Sequence, residues 1–399
     1  MPLLNFERIL PWDLFLILVI VVSTIFLITH RLEKKQALLF YSLYLYHLVF
    51  TCVYYKAGAI EVSDAANYYK WSFEQKSWLS ALSIARNFVT FFVYPFSQYL
   101  QASFITVMVF FSTLGFLGIY WSSRHLVLKH GLRYGLIALL FIPGLHYWTS
   151  NVGKEALVLF SLGIVINQLI KPRPNLLLVV LGVGIGLLVR PYVGVMLAFS
   201  LSAAYVFFAN NISLKRKLLV GFACAVLTVV ALGVFTSTLN VTSIGRAQEE
   251  IVHRQANWTA AGSTLNLTQY NAIERVFVFL YRPFFFDARK FSMLLSSVEN
   301  LVLLFFSVLL IFDFFKAKRL KDLSGLARFS LIYLAFSVLV YSSVTANLGT
   351  AVRKKSTIIP LFIILFAHYG YTRREQLLTR CIDELKSTDA HENPARLRN

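Results

Sequence analysis

Long uninterrupted apolar runs constrain the fold of this 399-residue chain more than any other feature of its sequence. Each run is about as long as the ~20 residues that a helix needs to cross a bilayer. Charged residues make up 14% of the chain, against about a quarter in soluble globular proteins. We therefore expect an all-α integral membrane protein, and the composition excludes a cytosolic enzyme, a fibrous protein and a disordered chain.

The apolar runs predict a bundle of about eleven transmembrane helices. The expected spans cover residues 11–30, 37–57, 102–121, 134–149, 155–170, 175–189, 191–209, 218–238, 297–315, 329–346 and 357–371. We expect a single polytopic membrane domain over residues 1–371, followed by a basic tail over residues 372–399.

Basic residues fall in every second connection between the predicted spans. They are Arg31, Lys34, Lys35, Arg124, Lys129, Arg133, Lys171, Arg173, Lys215, Arg216, Lys217, Lys316, Lys318, Arg319 and Lys321. The positive-inside rule places these connections and the basic tail in the cytoplasm, and the N-terminus outside. We thus predict a multi-pass membrane protein whose N-terminus lies outside and whose C-terminus lies in the cytoplasm. Basic residues spread over short membrane loops exclude a nucleic-acid partner.

Two predicted outer-face segments, about residues 58–101 and 239–296, are too long to be simple turns, and long loops are usually functional. The first holds an acidic and aromatic stretch, then a short apolar stretch interrupted by Pro95 that fits a re-entrant or interfacial helix. The second includes SIGRAQEEIVHRQANW, a candidate amphipathic helix along the membrane, and then an aromatic stretch rich in arginine.

Ionisable residues gather at the predicted outer ends of the spans, where charge near hydrocarbon is costly and marks a functional-site candidate. They are Lys154, Glu155, Arg190, Arg353, Lys354 and Lys355. The outer face also keeps more basic than acidic residues, which predicts an anionic ligand there. Arg190 and Arg282 each precede a proline, so both are predicted at helix N-termini, where phosphate binds. Paired guanidinium hydrogen bonds suit a lipid pyrophosphate.

Several of these residues keep two interpretations on sequence grounds. Asp64 is either a general base or, like Ser63, a candidate N-cap of a helix over AANYYKW. Lys154 and Glu155 either bind substrate or pair with other charges as structural residues. Arg190 either binds an anion or pairs with a carboxylate.

The histidines and the glycine runs carry no metal or nucleotide motif. His253 is either a base or a surface residue, whereas His47 and His146 are predicted to be hydrogen-bonded core residues. The chain has no HExxH, no Cys/His ligand spacing and no glycine-rich phosphate loop, so we predict no metal and no other cofactor. GVGIG at 182–186 is predicted to pack helices, because it lies inside an apolar run.

Five motifs extend over most of the chain. They are an acidic element from Asp64 to Tyr68, an internal RPY, and the stretches PGLHYWTSNVGKEAL, YRPFFFDARKFSMLLSSVEN and NLGTAVRKKSTIIP. Together they resemble the bacterial Wzy-type and EpsG-like polysaccharide polymerases, within or near the GT-C class of membrane glycosyltransferases. The first outer segment has no Asp-x-Asp motif, which argues against a GT-C metal site.

The resemblance implies transfer of a glycan from undecaprenyl pyrophosphate to the terminal sugar hydroxyl of another lipid-linked repeat unit, at the outer face of the bacterial plasma membrane. It thereby implies a periplasmic N-terminus. It implies that Asp64, Glu155 or His253 takes the acceptor proton. It also implies that donor pyrophosphate and glycan are bound by Lys154, Arg190, Arg254, Arg282, Arg289 and Arg353. The implied partners are the lipid-linked donor and acceptor and membrane lipids, with a chain-length regulator and a flippase left open.

Three other functions remain open on sequence grounds. A GT-C single-sugar transferase with a polyprenyl-phosphate donor, or a glycan ligase, shares nearly every feature and differs in its substrates. A transporter for lipid-linked glycans predicts ionisable residues near the bilayer midplane or inverted repeats. A structural assembly subunit predicts tolerance to the loss of Arg190 and Arg282.

Overall fold

A computed structural model describes residues 9–60, 63–208, 269–288, 291–316, 323–345 and 347–372, together with isolated positions between 213 and 229. Within these ranges the structure is helical and contains no β-strand. The helices are α1 (Pro11–Thr29), α2 (Lys34–Ile60), α3 (Asp64–Ser72), α4 (Arg86–Tyr94), α5 (Phe104–His130), α6 (Tyr134–Leu140), α7 (Pro143–Thr149), α8 (Lys154–Leu169), α9 (Leu176–Val189), α10 (Pro191–Phe208), α11 (Ala272–Tyr281), α12 (Phe291–Lys316), α13 (Gly325–Val344), α14 (Leu348–Ser356) and α15 (Ile359–Ala367).

Five of these helices are long and apolar enough to cross a membrane. They lie in α1, α2, α5, α12 and α13, and three shorter apolar helices begin at Leu176, Pro191 and Ile359. The all-helical prediction is thus confirmed for the described residues, and the long apolar helices are compatible with a multi-pass membrane protein. The count of eleven spans stays a prediction, and the expected span 218–238 lies outside the continuously described residues.

The predicted span over residues 134–149 is wrong as a single helix, because the structure divides it into α6 and α7. Pro143 begins α7 and has no backbone N–H to donate to the preceding turn, which weakens a continuous helix at this point. Each piece has seven residues and is therefore about 10 Å long, against about 30 Å of hydrocarbon. Neither α6 nor α7 crosses a bilayer alone.

The central helix of the bundle is α5, most of whose residues are buried, whereas α1 exposes the apolar stripe Leu14, Leu18, Val22 and Phe26. Asp13 joins the start of α1 to the start of α5. Its buried carboxylate accepts hydrogen bonds from the Ser103 backbone N–H, at 2.7 Å, and from the Thr106 hydroxyl, at 2.8 Å. A carboxylate so deep in the protein is tolerated because these donors replace its water.

Glycines let the helices around α5 approach closely. A methyl group added to Gly163 of α8 would lie 2.6 Å from the Cα of Gly118 in α5. The predicted packing role of GVGIG is confirmed for Gly182 and Gly186, where an added Cβ would meet Val165 or the Ser161 hydroxyl at 2.8 and 2.9 Å. Backbones in contact exclude larger side chains and fix the distance between α8 and α9.

The two predicted core histidines meet inside the protein, as expected. His47 of α2 and His146 of α7 are both fully buried, and their Nδ1 atoms lie 2.9 Å apart. The Nε2 atom of His146 donates to the Leu140 carbonyl at 2.8 Å. This hydrogen-bonded pair attaches the short helix α7 to α2, which is long and apolar enough to cross a membrane.

The first predicted outer segment contains two short helices, α3 and α4, followed by a π-helical turn from Pro95 to Tyr99. The nine residues of α4 extend over about 14 Å, too little to cross a bilayer. Ahead of α4, the backbone N–H of Ala85 donates to the Leu188 carbonyl at 2.7 Å. This bond fixes the outer segment to the end of α9, beside Arg190.

Candidate functional site

Four predicted site residues from distant parts of the sequence form one group, Asp64, Glu155, Arg190 and Arg353, which we call the ion-pair cluster. Each stands at or near a helix end. Glu155 lies at its centre, in the first turn of α8, and is fully buried. The N-terminal end of a helix favours a carboxylate because its free N–H groups carry partial positive charge. Glu155 pairs with both arginines, and its Oε2 lies 2.8 Å from Nη2 of Arg353.

Arg190 joins α9 to α10 in an extended conformation. Its backbone N–H donates to the Gly186 carbonyl at 2.9 Å, and Pro191 begins α10, so the predicted position at a helix N-terminus is confirmed for this arginine. One guanidinium nitrogen, Nη2, donates to Glu155. The other, Nη1, is buried and has no hydrogen-bond partner among the described residues. Arg190 therefore has a donor available for an acceptor oxygen.

Arg353 links Glu155 to the outer segment. It lies in α14, which Asn347 caps by accepting a hydrogen bond from the Thr350 N–H at 3.1 Å. Its Nη1 atom is 2.5 Å from a carboxylate oxygen of Asp64, and its guanidinium carbon is 6.0 Å from the ring centre of Trp148. Burial opposes the charge of Arg353, but Glu155 and Asp64 outweigh it and raise its pKa above the ordinary value.

Asp64 forms the exposed side of the cluster. It is the first residue of α3, and its side chain is 55% exposed. The N-cap of α3 is Ser63, whose hydroxyl accepts from the Ala66 N–H at 3.2 Å. The capping role thus belongs to Ser63, and the carboxylate of Asp64 pairs with Arg353 instead.

Two lysines add positive charge to the cluster. Lys154 precedes Glu155 in α8, is partly buried and interacts electrostatically with Arg190. Lys354 of α14 is buried, and its Nζ donates to the Thr345 hydroxyl at 2.9 Å and lies 5.5 Å from the ring centre of Tyr341. Burial, and to a smaller extent Arg190, lowers the pKa of Lys354 to about 7. An anion bound nearby would favour the charged form of this lysine.

The ion-pair cluster and the two lysines together therefore hold more positive than negative charge. When both lysines are protonated, four cationic side chains, of Lys154, Arg190, Arg353 and Lys354, face the two carboxylates of Asp64 and Glu155. Charge held away from water is costly unless it is paired. An anionic group that enters the cluster would complete its charge balance.

Arg282 forms a separate group on the other side of α14. It follows the last residue of α11, so the prediction that it stands at a helix N-terminus is wrong. Its guanidinium pairs with Asp287, with Nε 2.9 Å from Oδ2, and donates to the Tyr270 hydroxyl at 3.1 Å. Asp287 gains its partner because the short turn that follows Pro283 brings its carboxylate back toward α11.

Lys355 ties this second group to α14. Its Nζ donates to the Leu280 carbonyl at 2.9 Å, to the Arg282 carbonyl at 3.3 Å and to the Asn300 side-chain oxygen. Three neutral oxygens thus use all three of its donors, and burial lowers its pKa to about 7. Lys355 is a structural residue that holds α11, α12 and α14 together.

Three predicted site residues, His253, Arg254 and Arg289, lie outside the described residues. Lys354, one of the ionisable candidates singled out from the sequence, does lie beside the cluster. Trp148 was not among the predicted site residues and could have been found from the aromatic stretch shortly before Glu155. In the described part of the chain, no group of three His, Cys, Asp or Glu side chains is positioned to hold a metal ion.

Comparison with known proteins gives no family for this chain, since no protein-family model, curated protein or solved structure matches it. The function must therefore be inferred from the residues themselves.

Proposed function

We propose that the chain is a polysaccharide polymerase of the bacterial plasma membrane, which transfers a glycan from undecaprenyl pyrophosphate to a sugar hydroxyl of another lipid-linked repeat unit. The observation that carries this proposal is the positive surplus of the ion-pair cluster and its two neighbouring lysines, together with the half-exposed carboxylate of Asp64. A lipid pyrophosphate supplies the missing negative charge, and glycosyl transfer needs a base for the acceptor hydroxyl.

The residues of the cluster and Lys354 have different roles in the proposed reaction. Arg190, Arg353 and Lys354 stabilise the pyrophosphate as it leaves, because charge-assisted hydrogen bonds are strongest where water is excluded. Glu155 faces two guanidiniums and is fully buried, so it positions the arginines instead of taking a proton. Asp64 is half-exposed and is the base.

In the proposed step, the acceptor hydroxyl oxygen attacks the anomeric carbon of the donor glycan and forms the new glycosidic bond. The bond between that carbon and the pyrophosphate oxygen breaks, and its electron pair leaves with undecaprenyl pyrophosphate. The hydroxyl proton passes to the carboxylate of Asp64. The donor is already activated, so the step requires no nucleotide.

The proposal includes the orientation deduced from charge, with about eleven spans, the cluster facing the outside and the basic tail in the cytoplasm. The position of the cluster supports an enzyme over a transporter. The predicted topology puts Asp64, Glu155 and Arg190 at the outer ends of spans, whereas a transporter keeps its ionisable residues near the bilayer midplane.

The direct test uses purified full-length protein in detergent with an undecaprenyl-pyrophosphate-linked repeat unit and no nucleotide sugar. We expect products that form a gel ladder spaced by one repeat unit. Arg190→Gln should abolish the ladder, because it removes one of the two guanidiniums that face Glu155. The matched control is Arg86→Gln, since Arg86 is an exposed arginine that stacks on Trp71 outside the cluster.

The outcomes separate the proposed function from the other functions. A normal ladder from Arg190→Gln, or an equal loss from Arg86→Gln, would remove the cluster from catalysis. A product extended by one sugar with a polyprenyl-phosphate donor would identify a single-sugar transferase, and transfer to an unrelated acceptor would identify a ligase. Folded protein that forms no product with any of these substrates would refute an enzymatic function.

A further inference from the structure

The terminal nitrogens of Arg353 are both engaged by carboxylates. Nη1 is 2.5 Å from Oδ2 of Asp64, and Nη2 is 2.8 Å from Oε2 of Glu155. A guanidinium grips a phosphate through a pair of N–H donors that lie side by side. Asp64 and Glu155 each occupy one of the two terminal nitrogens, so a phosphate that approaches this pair of donors competes with one of the two carboxylates.

The two carboxylates differ in how firmly they are held. The side chain of Glu155 is 1% exposed and lies between two guanidiniums, so its release would leave a buried charge without a partner. The side chain of Asp64 is 55% exposed and pairs with Arg353 alone among the described residues. Water can solvate Asp64 as soon as it leaves, so Asp64 is the carboxylate that is displaced.

We propose that the Asp64 carboxylate occupies Arg353 in the free protein, in the place that the anionic headgroup takes when it binds. A bound pyrophosphate then displaces Asp64. The inference rests on the proposed function, because the anion is the headgroup of the lipid-linked donor. It adds an order of events, since the carboxylate becomes available to an acceptor hydroxyl only after the donor is in place. The ion pair with Arg353 thus keeps the base engaged until the donor is bound.

The rest of α3 is anchored, so the displaced carboxylate stays at the site. Ala65 and Ala66 are buried, and the Tyr69 hydroxyl donates to the Ala102 carbonyl at 2.8 Å. At the end of α3, the Ser72 hydroxyl donates to the Ser97 hydroxyl at 2.7 Å. A rotation of the Asp64 side chain therefore suffices, and the freed carboxylate remains beside the bound pyrophosphate.

The test measures the affinity of the full-length protein in detergent for sodium pyrophosphate by calorimetry at constant ionic strength. Asp64→Asn keeps the size of the side chain and removes the competing charge, and Ser63 still caps α3. We expect pyrophosphate to bind about fivefold more tightly to Asp64→Asn, which corresponds to about 1 kcal/mol, near the upper value for an exposed ion pair.

Two further variants make the test specific. Glu74→Gln removes an exposed carboxylate from the same outer segment, so it reports the effect of net charge alone and should leave the affinity unchanged. Arg353→Gln removes the guanidinium for which Asp64 and pyrophosphate compete, and we expect at least tenfold weaker binding. The thermal midpoint of each variant verifies that it is folded.

Equal or weaker pyrophosphate binding by Asp64→Asn would overturn the inference, and so would equal tightening by Glu74→Gln. The proposed function fails separately, through the gel assay. A ladder without tighter pyrophosphate binding by Asp64→Asn would support the polymerase function and refute the displacement of Asp64. Tighter pyrophosphate binding without a ladder would support the displacement of Asp64 and refute the polymerase function. Absence of pyrophosphate binding in every folded protein would overturn the displacement.

Discussion

Replacement of Glu155 by glutamine is the most direct test of the ion-pair cluster as a structural unit. Glu155 is fully buried, and its two oxygens face the guanidiniums of Arg190 and Arg353. The amide of Gln has one acceptor oxygen and one NH₂ donor. One guanidinium keeps an acceptor, while the other faces a donor and loses its counter-charge.

The size of the effect follows from the geometry. At the observed 2.8 Å between Nη2 of Arg353 and Oε2 of Glu155, the attraction is about 6 kcal/mol for an effective dielectric constant of about 20. Desolvation offsets part of it, and removal of one partner from a buried pair typically costs about 3–5 kcal/mol. Since the amide keeps one hydrogen bond, we expect Glu155→Gln to lower the free energy of unfolding by about 3 kcal/mol.

The assay is reversible unfolding in mixed micelles by added SDS, followed by circular dichroism. Glu74→Gln, which removes an exposed carboxylate, is the control and should change the free energy of unfolding by less than about 0.5 kcal/mol. The double variant Glu155→Gln with Arg190→Gln should lose less than the sum of the single losses, because the two groups interact directly. A loss under about 1 kcal/mol for Glu155→Gln, or strict additivity, would refute the cluster as described.

Two further predictions use the same preparations. Gly163→Ala should lower the free energy of unfolding by about 2 kcal/mol, because the new Cβ would lie 2.6 Å from the Gly118 Cα. The control is Gly184→Ala, where an added Cβ meets no atom within 4 Å. This control should show no loss of unfolding free energy in the same SDS titration. Lys354, whose pKa burial and then Arg190 lower to about 7, binds an anion best when charged. Calorimetry from pH 6 to 9 should therefore show pyrophosphate affinity falling as pH rises through 7, relative to Lys354→Gln; identical pH profiles would exclude Lys354 from the site.

The helices could be predicted well where length and composition decide the outcome. The run from Pro11 is one uninterrupted helix, because nothing within it interferes with the hydrogen bonds of an α-helix. The prediction of one span over residues 134–149 was wrong at Pro143, where a second helix begins, although the proline was visible in the sequence. Whether a proline ends a helix or only bends it depends on which groups donate hydrogen bonds to the carbonyls left without a helical partner. Here the His146 ring donates to the Leu140 carbonyl.

The candidate site could be predicted in part. Charge next to hydrocarbon is costly for any fold, so the sequence alone singled out Glu155, Arg190 and Arg353. The sequence did not indicate that Arg282 would pair with Asp287 instead of joining them. That partner choice depends on the turn after Pro283, which returns the chain toward α11.

The sequence by itself determined a helical membrane chain and which residues carry costly charges, because bilayer thickness and ionic hydration act on residue type and spacing. Only the tertiary structure decided that Glu155 lies between two guanidiniums while Asp64 stays half in water. Asp64 and Arg353 are 289 positions apart in the chain. Charges so distant in sequence meet only when packed helices bring their ends together, and the local sequence does not encode that distance.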